Sequence, residues 1–162
     1  MVEHILDVDG AAVRFCLGPY KMGKIVLVSC ASKKKVGLAR AENLYDSFLF
    51  KLNLKYAKSL NPDKIFILSA KHGLLNLDKE IEPYEETLNN KKDNEIKIWA
   101  MKVLNELKRE SDLKNDEFVF LAGEKYRRHL ISEIKRFEVP MEGLGIGKQL
   151  KFLKDNLRGK DE

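Results

Sequence analysis

Short apolar runs alternate with long amphipathic stretches from residue 24 onward, and this alternation limits the possible folds more than any other feature of the chain. The apolar, β-branched runs predict four strands, at about residues 24–29, 64–69, 117–121 and 137–139. The stretches between them have apolar residues at helical spacing and predict helices at about 40–60, 94–109, 124–137 and beyond 147. Strands that alternate with helices favour an α/β fold with a mostly parallel four-stranded sheet and helices on both faces. In the second helix, the residues expected to face the core are Ile98, Met101, Val103, Leu104 and Leu107.

The first 21 residues differ in pattern from the rest of the chain. Their partial alternation of apolar and polar residues is interrupted at Gly18, Pro19 and Tyr20, and Met22 then reads as a natural start. We therefore expect residues 1–21 to be an N-terminal extension that the fold does not need, with an additional edge strand as the alternative. Since 162 residues with 44% hydrophobic content suffice for one core, residues 22–162 are predicted to form a single α/β domain.

Composition restricts the partners and the compartment. The chain has 30 basic and 25 acidic residues, a net charge of +5. This excess fits nucleic acid or a nucleotide or nucleobase ligand, although a solvated lysine-rich surface gives the same numbers. Two cysteines are too few for a disulfide framework, and no signal peptide or bilayer-spanning run is present. We expect a cytoplasmic protein that does not contact the membrane, and its single glutamine indicates a heat-adapted composition.

Chemically active side chains follow the first two predicted strands. The first strand leads into Ser29, Cys30 and a lysine run that includes Lys33 and Lys34. The second leads into Lys71-His72-Gly73. Because sequential parallel strands are often neighbours and end at the same sheet edge, these two loops are predicted to form one shared site.

Cys30 and His72 are the candidate catalytic residues. A thiol near lysines and an imidazole is favoured as the thiolate, which is the nucleophilic form. The alternative is that Cys30 is a small apolar residue that closes a strand. His72 can act as a general acid or base, donate a hydrogen bond to a ligand, or be a structural histidine.

The candidate binding residues are mainly cations and backbone amides. Lys71 and one of the pair Lys33 and Lys34 are expected to neutralise a phosphate or carboxylate, unless the lysine run is simply a solvated turn. Gly73 relieves crowding or permits a positive φ angle. Ser29 supplies a hydroxyl at the same strand end.

Three further candidates lie outside these loops. Tyr84 follows Pro83 in a polar segment, where its ring is expected to stack on a base or to pack the segment onto the body of the domain. Gly123 and Tyr126 start a helix directly after the third strand, so free backbone amides there can hold an anion. Since Cys30, His72 and His129 show no metal-ligand spacing, neither a metal nor a cofactor is predicted.

These residues are similar to those of known families. The chain resembles, over about residues 24–153, a prokaryotic family catalogued as domain of unknown function (DUF) 6884. The resemblance rests on Ser29-Cys30, Lys33-Lys34, Leu44-Tyr45, the run 68–74, Pro83-Tyr84, Trp99-Ala100, Ala122-Gly123 with Tyr126, and the segment 140–149. More distantly it is similar to the uracil-DNA-glycosylase-like domain of archaeosine tRNA-guanine transglycosylases and synthases, and to the peroxide-stress protein family. Those relatives imply a three-layer α/β/α sandwich.

The sequence predicts an enzyme that acts on a nucleobase, a nucleoside or a modified nucleic acid, with the N-glycosidic bond as the candidate point of attack. In this interpretation the lysines neutralise phosphates, His72 moves a proton or stabilises the leaving base, and Tyr84 stacks. One alternative is a non-catalytic nucleic-acid-binding module that uses the same cations. Another is a thiol-dependent enzyme that acts on a small anionic metabolite.

Overall fold

The computed structural model describes residues 22–158, which form seven β-strands and five α-helices. The strands are β1 (Lys24–Ser29), β2 (Ala39–Arg40), β3 (Lys64–Ser69), β4 (Gly73–Asn76), β5 (Glu80–Ile81), β6 (Glu117–Leu121) and β7 (Phe137–Glu138). The helices are α1 (Ala41–Leu44), α2 (Phe48–Ser59), α3 (Asp93–Glu110), α4 (Glu124–Ile131) and α5 (Ile146–Leu157). The predicted extension, residues 1–21, lies outside the described residues, as do residues 159–162.

A five-stranded, mostly parallel sheet forms the centre of the fold. Its strand order is β4-β3-β1-β6-β7, in which β1 pairs in parallel with both β3 and β6. The α/β class is therefore confirmed, but the prediction of four strands is wrong. After β3 the chain turns back at once, and β4 pairs with β3 in antiparallel orientation. Strands β2 and β5 form a separate two-stranded sheet.

The two faces of the sheet carry separate apolar clusters. Alternate residues of β1 point to opposite faces, so Val26 and Val28 pack with α2 and α5, whereas Ile25 and Leu27 pack with α3 and α4. Each fully buried aliphatic side chain of this kind stabilises the fold by roughly 1.5–3 kcal/mol. Helices on both faces give the domain three layers.

The predicted helix at 40–60 is broken in the structure. Tyr45 ends α1 and pairs as an isolated bridge with Lys34, and the Asp46 N–H donates to the carbonyl of Lys33 at 2.8 Å. The chain then restarts as α2, whose first turn is capped by Ser47 Oγ accepting from Phe50 N at 3.2 Å. The helix is interrupted because this stretch anchors the lysine loop. The helix predicted to reach residue 137 is also shorter, since α4 ends at Ile131.

The buried face of α3 is rotated from the predicted one. Ile98 and Met101 were expected to face the core, but they are 68% and 64% exposed. The buried stripe instead consists of Ile96, Trp99, Ala100, Val103, Leu104 and Leu107. Trp99 fixes this phase, because its indole N–H donates to the Ser69 carbonyl at 2.8 Å. Between residues 22 and 158, no helix combines the length and apolar character needed to cross a membrane.

Candidate functional site

The strand order reverses between β1 and β6. The chain runs from β1 to β3 on one side and reaches β6 on the other side of β1 only later. In open α/β sheets, such a switch point leaves a crevice outside the carboxyl ends of the two strands, where ligands bind. A cavity of about 560 Å³ lies there, and it is lined by Cys30 and Ala122, which directly follow β1 and β6. Cavities of roughly 300–1,000 Å³ hold small molecules in proteins.

The cavity walls combine apolar side chains with three carboxamide residues. Leu49, Phe120, Val139, Met141, Leu144 and Ile146 supply the apolar part. The carboxamide residues are Asn53 of α2, Asn89 and Gln149 of α5. Gln149 is held in place, because its Nε2 donates to the Leu144 carbonyl at 2.8 Å. The walls therefore offer apolar surface for a flat ring and polar groups for its edge.

Asn53 is the unusual polar group of this cavity. Its side chain is 6% exposed, and its Oδ1 is buried without a hydrogen-bond partner. It lies on the buried stripe of α2, between Phe50 and Ala57. Buried polar groups in folded proteins are normally hydrogen-bonded, so an unpaired amide in a cavity indicates a missing ligand or water.

Cys30 and Tyr126 both line the cavity and are in contact with each other. The Cys30 sulfur lies 3.6 Å from Tyr126 Oη, which accepts a hydrogen bond from Leu88 N at 3.2 Å. Burial, together with the negative charge on Cys30, raises the pKa of Tyr126 to about 12. Tyr126 therefore remains protonated at neutral pH, and its oxygen accepts the hydrogen bond that the Cys30 thiol donates.

A cluster of hydroxyl groups surrounds Tyr84. Its Oη lies 2.6 Å from Tyr45 Oη and 2.8 Å from Ser69 Oγ. The backbone N–H of His72 donates to Ser69 Oγ at 3.0 Å, and the His72 ring meets the Tyr84 ring edge-on at 5.4 Å. These four side chains do not line the cavity. They are linked electrostatically to Cys30 in the cavity wall, because a thiolate there raises the pKa values of both Tyr45 and Tyr84.

Lys34 covers this cluster. Its Nζ lies 4.3 Å from the centroid of the Tyr84 ring, a cation–π distance, and donates to the Ser32 carbonyl at 3.1 Å. Burial lowers the pKa of Lys34, while the negative charges of Cys30 and Glu85 act in the opposite direction. Of the two lysines considered from the sequence, Lys34 is the one beside Tyr84 and Cys30.

Burial also shifts the other titrating groups of the cluster. It raises the pKa values of Tyr45 and Tyr84 above the usual tyrosine range, so both hydroxyls stay neutral. The pKa of His72 is lowered by burial and then by the positive charges of Lys71, Lys102 and Lys79. His72 is therefore a neutral imidazole at pH 7.

The structure divides the residues predicted from the sequence into groups. Ser29, Cys30, Gly123 and Tyr126 line the cavity. Lys34, His72 and Tyr84 belong to the hydroxyl cluster beside Cys30. Lys33 and Lys71 are exposed side chains that do not line the cavity.

Two of the predicted residues have roles in the fold. Gly73 has φ of 75°, and an added Cβ would lie 2.6 Å from Glu106 Oε1, which accepts a hydrogen bond from Leu74 N. This glycine allows the tight return from β3 to β4. Tyr84 is only 7% exposed, so the packing alternative describes its ring better than free stacking on a base.

Sequence reasoning missed Asn53, Gln149 and the buried Ser69. A signal for Asn53 was present, because a polar residue interrupts the apolar spacing of positions 50, 54 and 57. Ser69 and Gln149 gave no such signal, since a polar residue at the end of a strand or in an exposed helix turn is ordinary. In the described part of the chain, no three His, Cys, Asp or Glu side chains are grouped so as to hold a metal ion.

The model of a family of unknown function, DUF6884, matches residues 25–155 of the chain. This span includes every residue that lines the cavity. The chain belongs to DUF6884. No curated protein and no solved structure matches it significantly. The features of this DUF6884 protein that bear on its function are therefore the cavity and the hydroxyl cluster beside it.

Proposed function

We propose that this DUF6884 protein is a cytoplasmic enzyme that acts on a nucleobase, a nucleoside or a modified nucleic acid, with the base bound in the switch-point cavity. The observation that carries this proposal is the cavity itself, in which Cys30 and the unpaired amide of Asn53 share one space of about 560 Å³. A thiol and a carboxamide residue thus line the same cavity.

Base recognition fits the chemistry of the walls. A carboxamide offers a donor and an acceptor side by side, and this pair matches an amide-type base edge that carries an N–H next to a carbonyl. Oδ1 of Asn53 is the acceptor that lacks a donor. Phe120, Met141 and Leu144 supply apolar surface for the faces of a planar ring.

The candidate reaction is cleavage of the N-glycosidic bond. The oxygen of a water molecule bonds to the anomeric carbon while the bond from that carbon to the base nitrogen breaks. One water proton goes to the base, and the other remains on the new sugar hydroxyl. With Cys30 as the nucleophile, its sulfur first bonds to the anomeric carbon while the base leaves with the thiol proton, and water then displaces the sulfur, which regains a proton from that water. With Cys30 as a lining residue, water attacks directly as above. In both cases Tyr126 accepts the hydrogen bond of the Cys30 thiol, and Lys34 is the nearby cation. His72 is the candidate positioning residue for Tyr84.

A fold similar to uracil-DNA glycosylase is part of the same proposal. The helices on both faces of a mostly parallel sheet support it. The antiparallel edge strand β4 and the separate β2–β5 pair are additions that any such comparison has to accommodate.

The test measures release of free base from a panel of nucleosides and from uracil- or deazaguanine-containing oligonucleotides. Cys30→Ala is the test variant, and Lys33→Ala, whose exposed side chain lies outside the cavity, is the control. We expect the parent protein to release free base. If Cys30 is the nucleophile, Cys30→Ala is expected to lower the rate of release at least roughly a hundredfold, and Lys33→Ala is expected to leave that rate unchanged.

A second measurement separates base binding from turnover. Iodoacetamide labelling of Cys30 in the folded protein is expected to slow when a nucleobase occupies the cavity. If no base or nucleoside slows labelling and none is turned over, the proposal is wrong. Protection by small carboxylates or sugar phosphates alone would favour the thiol-dependent enzyme on anionic metabolites.

A further inference from the structure

Two helices start at the cavity without a side-chain cap. Gly123 is the N-cap residue of α4 and lines the cavity, and neither Gly123 nor Gly145, the N-cap residue of α5, supplies a capping hydrogen bond. The first residues of a helix have backbone N–H groups without an intrahelical partner. Three such first-turn residues line the cavity: Glu124 and Lys125 of α4, and Ile146 of α5. Partial positive charge therefore collects on one side of the cavity.

The fold itself does not require these glycines. Gly123 and Gly145 have φ of −66° and −72°, which any residue can adopt. A Cβ added at Gly123, Gly145 or Gly147 would meet no atom within 4 Å. Gly147 lies in the first turn of α5, where glycine is a poor helix former. Of the three, Gly123 lines the cavity, and a ligand that approaches its backbone closely would explain why a side chain is missing there.

Asn53 points independently to a bound group in this cavity. Its side chain is more than nine-tenths buried, lines the same cavity, and has an oxygen without a partner. Two cations also line the cavity, Lys125 and Arg127, each anchored to a backbone carbonyl, at 3.1 and 2.7 Å. The one carboxylate there, Glu124, is paired with Arg128 at 3.7 Å. The charged groups of the wall therefore favour an anion.

We propose that the cavity takes a nucleotide rather than a free base or nucleoside, with its phosphate held by the N-terminal turns of α4 and α5. This rests on the proposed function, because Asn53 is taken to bind the base. The phosphate accepts hydrogen bonds from the uncapped amides of both helices, with Lys125 and Arg127 as the nearest cations. The substrate class is a nucleoside 5′-monophosphate or a nucleotide unit of a nucleic acid.

The experiment compares binding of adenosine, guanosine, cytidine and uridine with that of their 5′-monophosphates by calorimetry at fixed ionic strength. Ribose 5-phosphate and inorganic phosphate are the further probes. For at least one base, we expect the monophosphate to bind roughly tenfold or more tightly than the nucleoside, the gain typical of charge-assisted hydrogen bonds.

Two substitutions remove the helix contribution without disturbing the helices. Ile146→Pro deletes one amide proton at the first helical position, where proline is well tolerated, and Ile146→Ala is its control. Gly123→Asp adds a carboxylate that caps α4 itself and repels phosphate, with Gly123→Asn, which has the same shape and capping ability without the charge, as its control. Each test variant is expected to weaken monophosphate binding by roughly tenfold relative to its control, with nucleoside binding changed less than about twofold.

The outcomes separate the two proposals. Nucleoside binding with no gain from the phosphate, or a gain that both test variants retain, overturns the phosphate site and leaves the proposed function standing. Binding of ribose 5-phosphate that the variants abolish, without binding of any nucleoside, supports the phosphate site and refutes the base-directed function. If no probe binds, both proposals are wrong.

Discussion

Replacement of Asn53 by leucine is expected to stabilise the protein and to weaken ligand binding. The Asn53 side chain is 6% exposed and its Oδ1 has no partner. Leaving a buried polar group unpaired costs about 1–3 kcal/mol, and an apolar side chain of similar shape removes that cost. The added methyl volume can extend into the adjacent cavity of about 560 Å³, so overpacking is avoided.

We expect the free energy of unfolding of Asn53→Leu to rise by about 1–2 kcal/mol. For a chain of this size, each kcal/mol raises Tm by about 2–4 °C. Urea unfolding gives the free energy, and calorimetry gives Tm. The same variant is expected to bind nucleobases and nucleotides at least roughly tenfold more weakly, because a lost hydrogen bond leaves the base edge unpaired.

Asn53→Asp is the matched control, because it keeps the shape and adds a charge. It is expected to destabilise the protein at pH 7 and to recover as the pH falls, since protonation removes the buried charge. If Asn53→Leu instead lowers the free energy of unfolding by more than about 1 kcal/mol, the amide has a partner in the folded state. Asn53 would then no longer indicate a bound ligand.

Three further predictions concern the groups around the sheet edge. Ser69→Ala removes the oxygen that hydrogen-bonds to both His72 N and Tyr84 Oη, and it is expected to lower the free energy of unfolding in urea titrations by about 1–3 kcal/mol. Ser32→Ala, at an exposed loop position, is the control and is expected to leave the free energy of unfolding unchanged. The folded-state pKa of His72 lies below its unfolded value, so the unfolded chain binds more protons and the stability of the protein falls as the pH drops through about 6.5. His72→Gln is expected to flatten the plot of Tm against pH between about pH 7 and 5. An unchanged slope of that plot would contradict this prediction. Asp116→Ala removes the carboxylate that accepts hydrogen bonds from Gly23 N and Asp112 N, both at 2.8 Å, and it is expected to lower the free energy of unfolding by about 2–3 kcal/mol in the same urea titrations. Equal stability of the variant and the parent protein would show that water replaces the carboxylate.

The positions of the main strands were predictable because they depend on local pattern. Three of the four predicted strands, β1, β3 and β6, have the same bounds in the structure, and β7 differs by one residue. Their apolar, β-branched runs are too short for buried helices and are bounded by turn residues. The break between α1 and α2 was not predictable, because it depends on contacts with the distant lysine loop through Tyr45 and Asp46.

In the candidate site, too, some features were predictable from local sequence pattern and others depend on contacts between distant segments. The sequence placed Cys30 and His72 at neighbouring strand ends, and the pairing of Ser29 with Leu68 agrees with that arrangement. The side of Cys30 on which the cavity lies depends on β6. This strand begins at Glu117, 88 positions after β1 ends at Ser29, and it lies beside β1 only because of the strand order in the sheet. Local pattern does not encode that order, so Asn53 and Gln149 were not recognised as neighbours of Cys30.

The amino-acid sequence by itself determined the α/β class, the main strands and the chemical groups that follow them, because hydrophobic periodicity and turn residues act over a few positions. Only the tertiary structure decided the edge strand β4, the burial of Tyr84 and the cavity between β1 and β6. These features arise where segments distant in sequence pack together, and the free energy of that packing depends on all of the contacting surfaces at once.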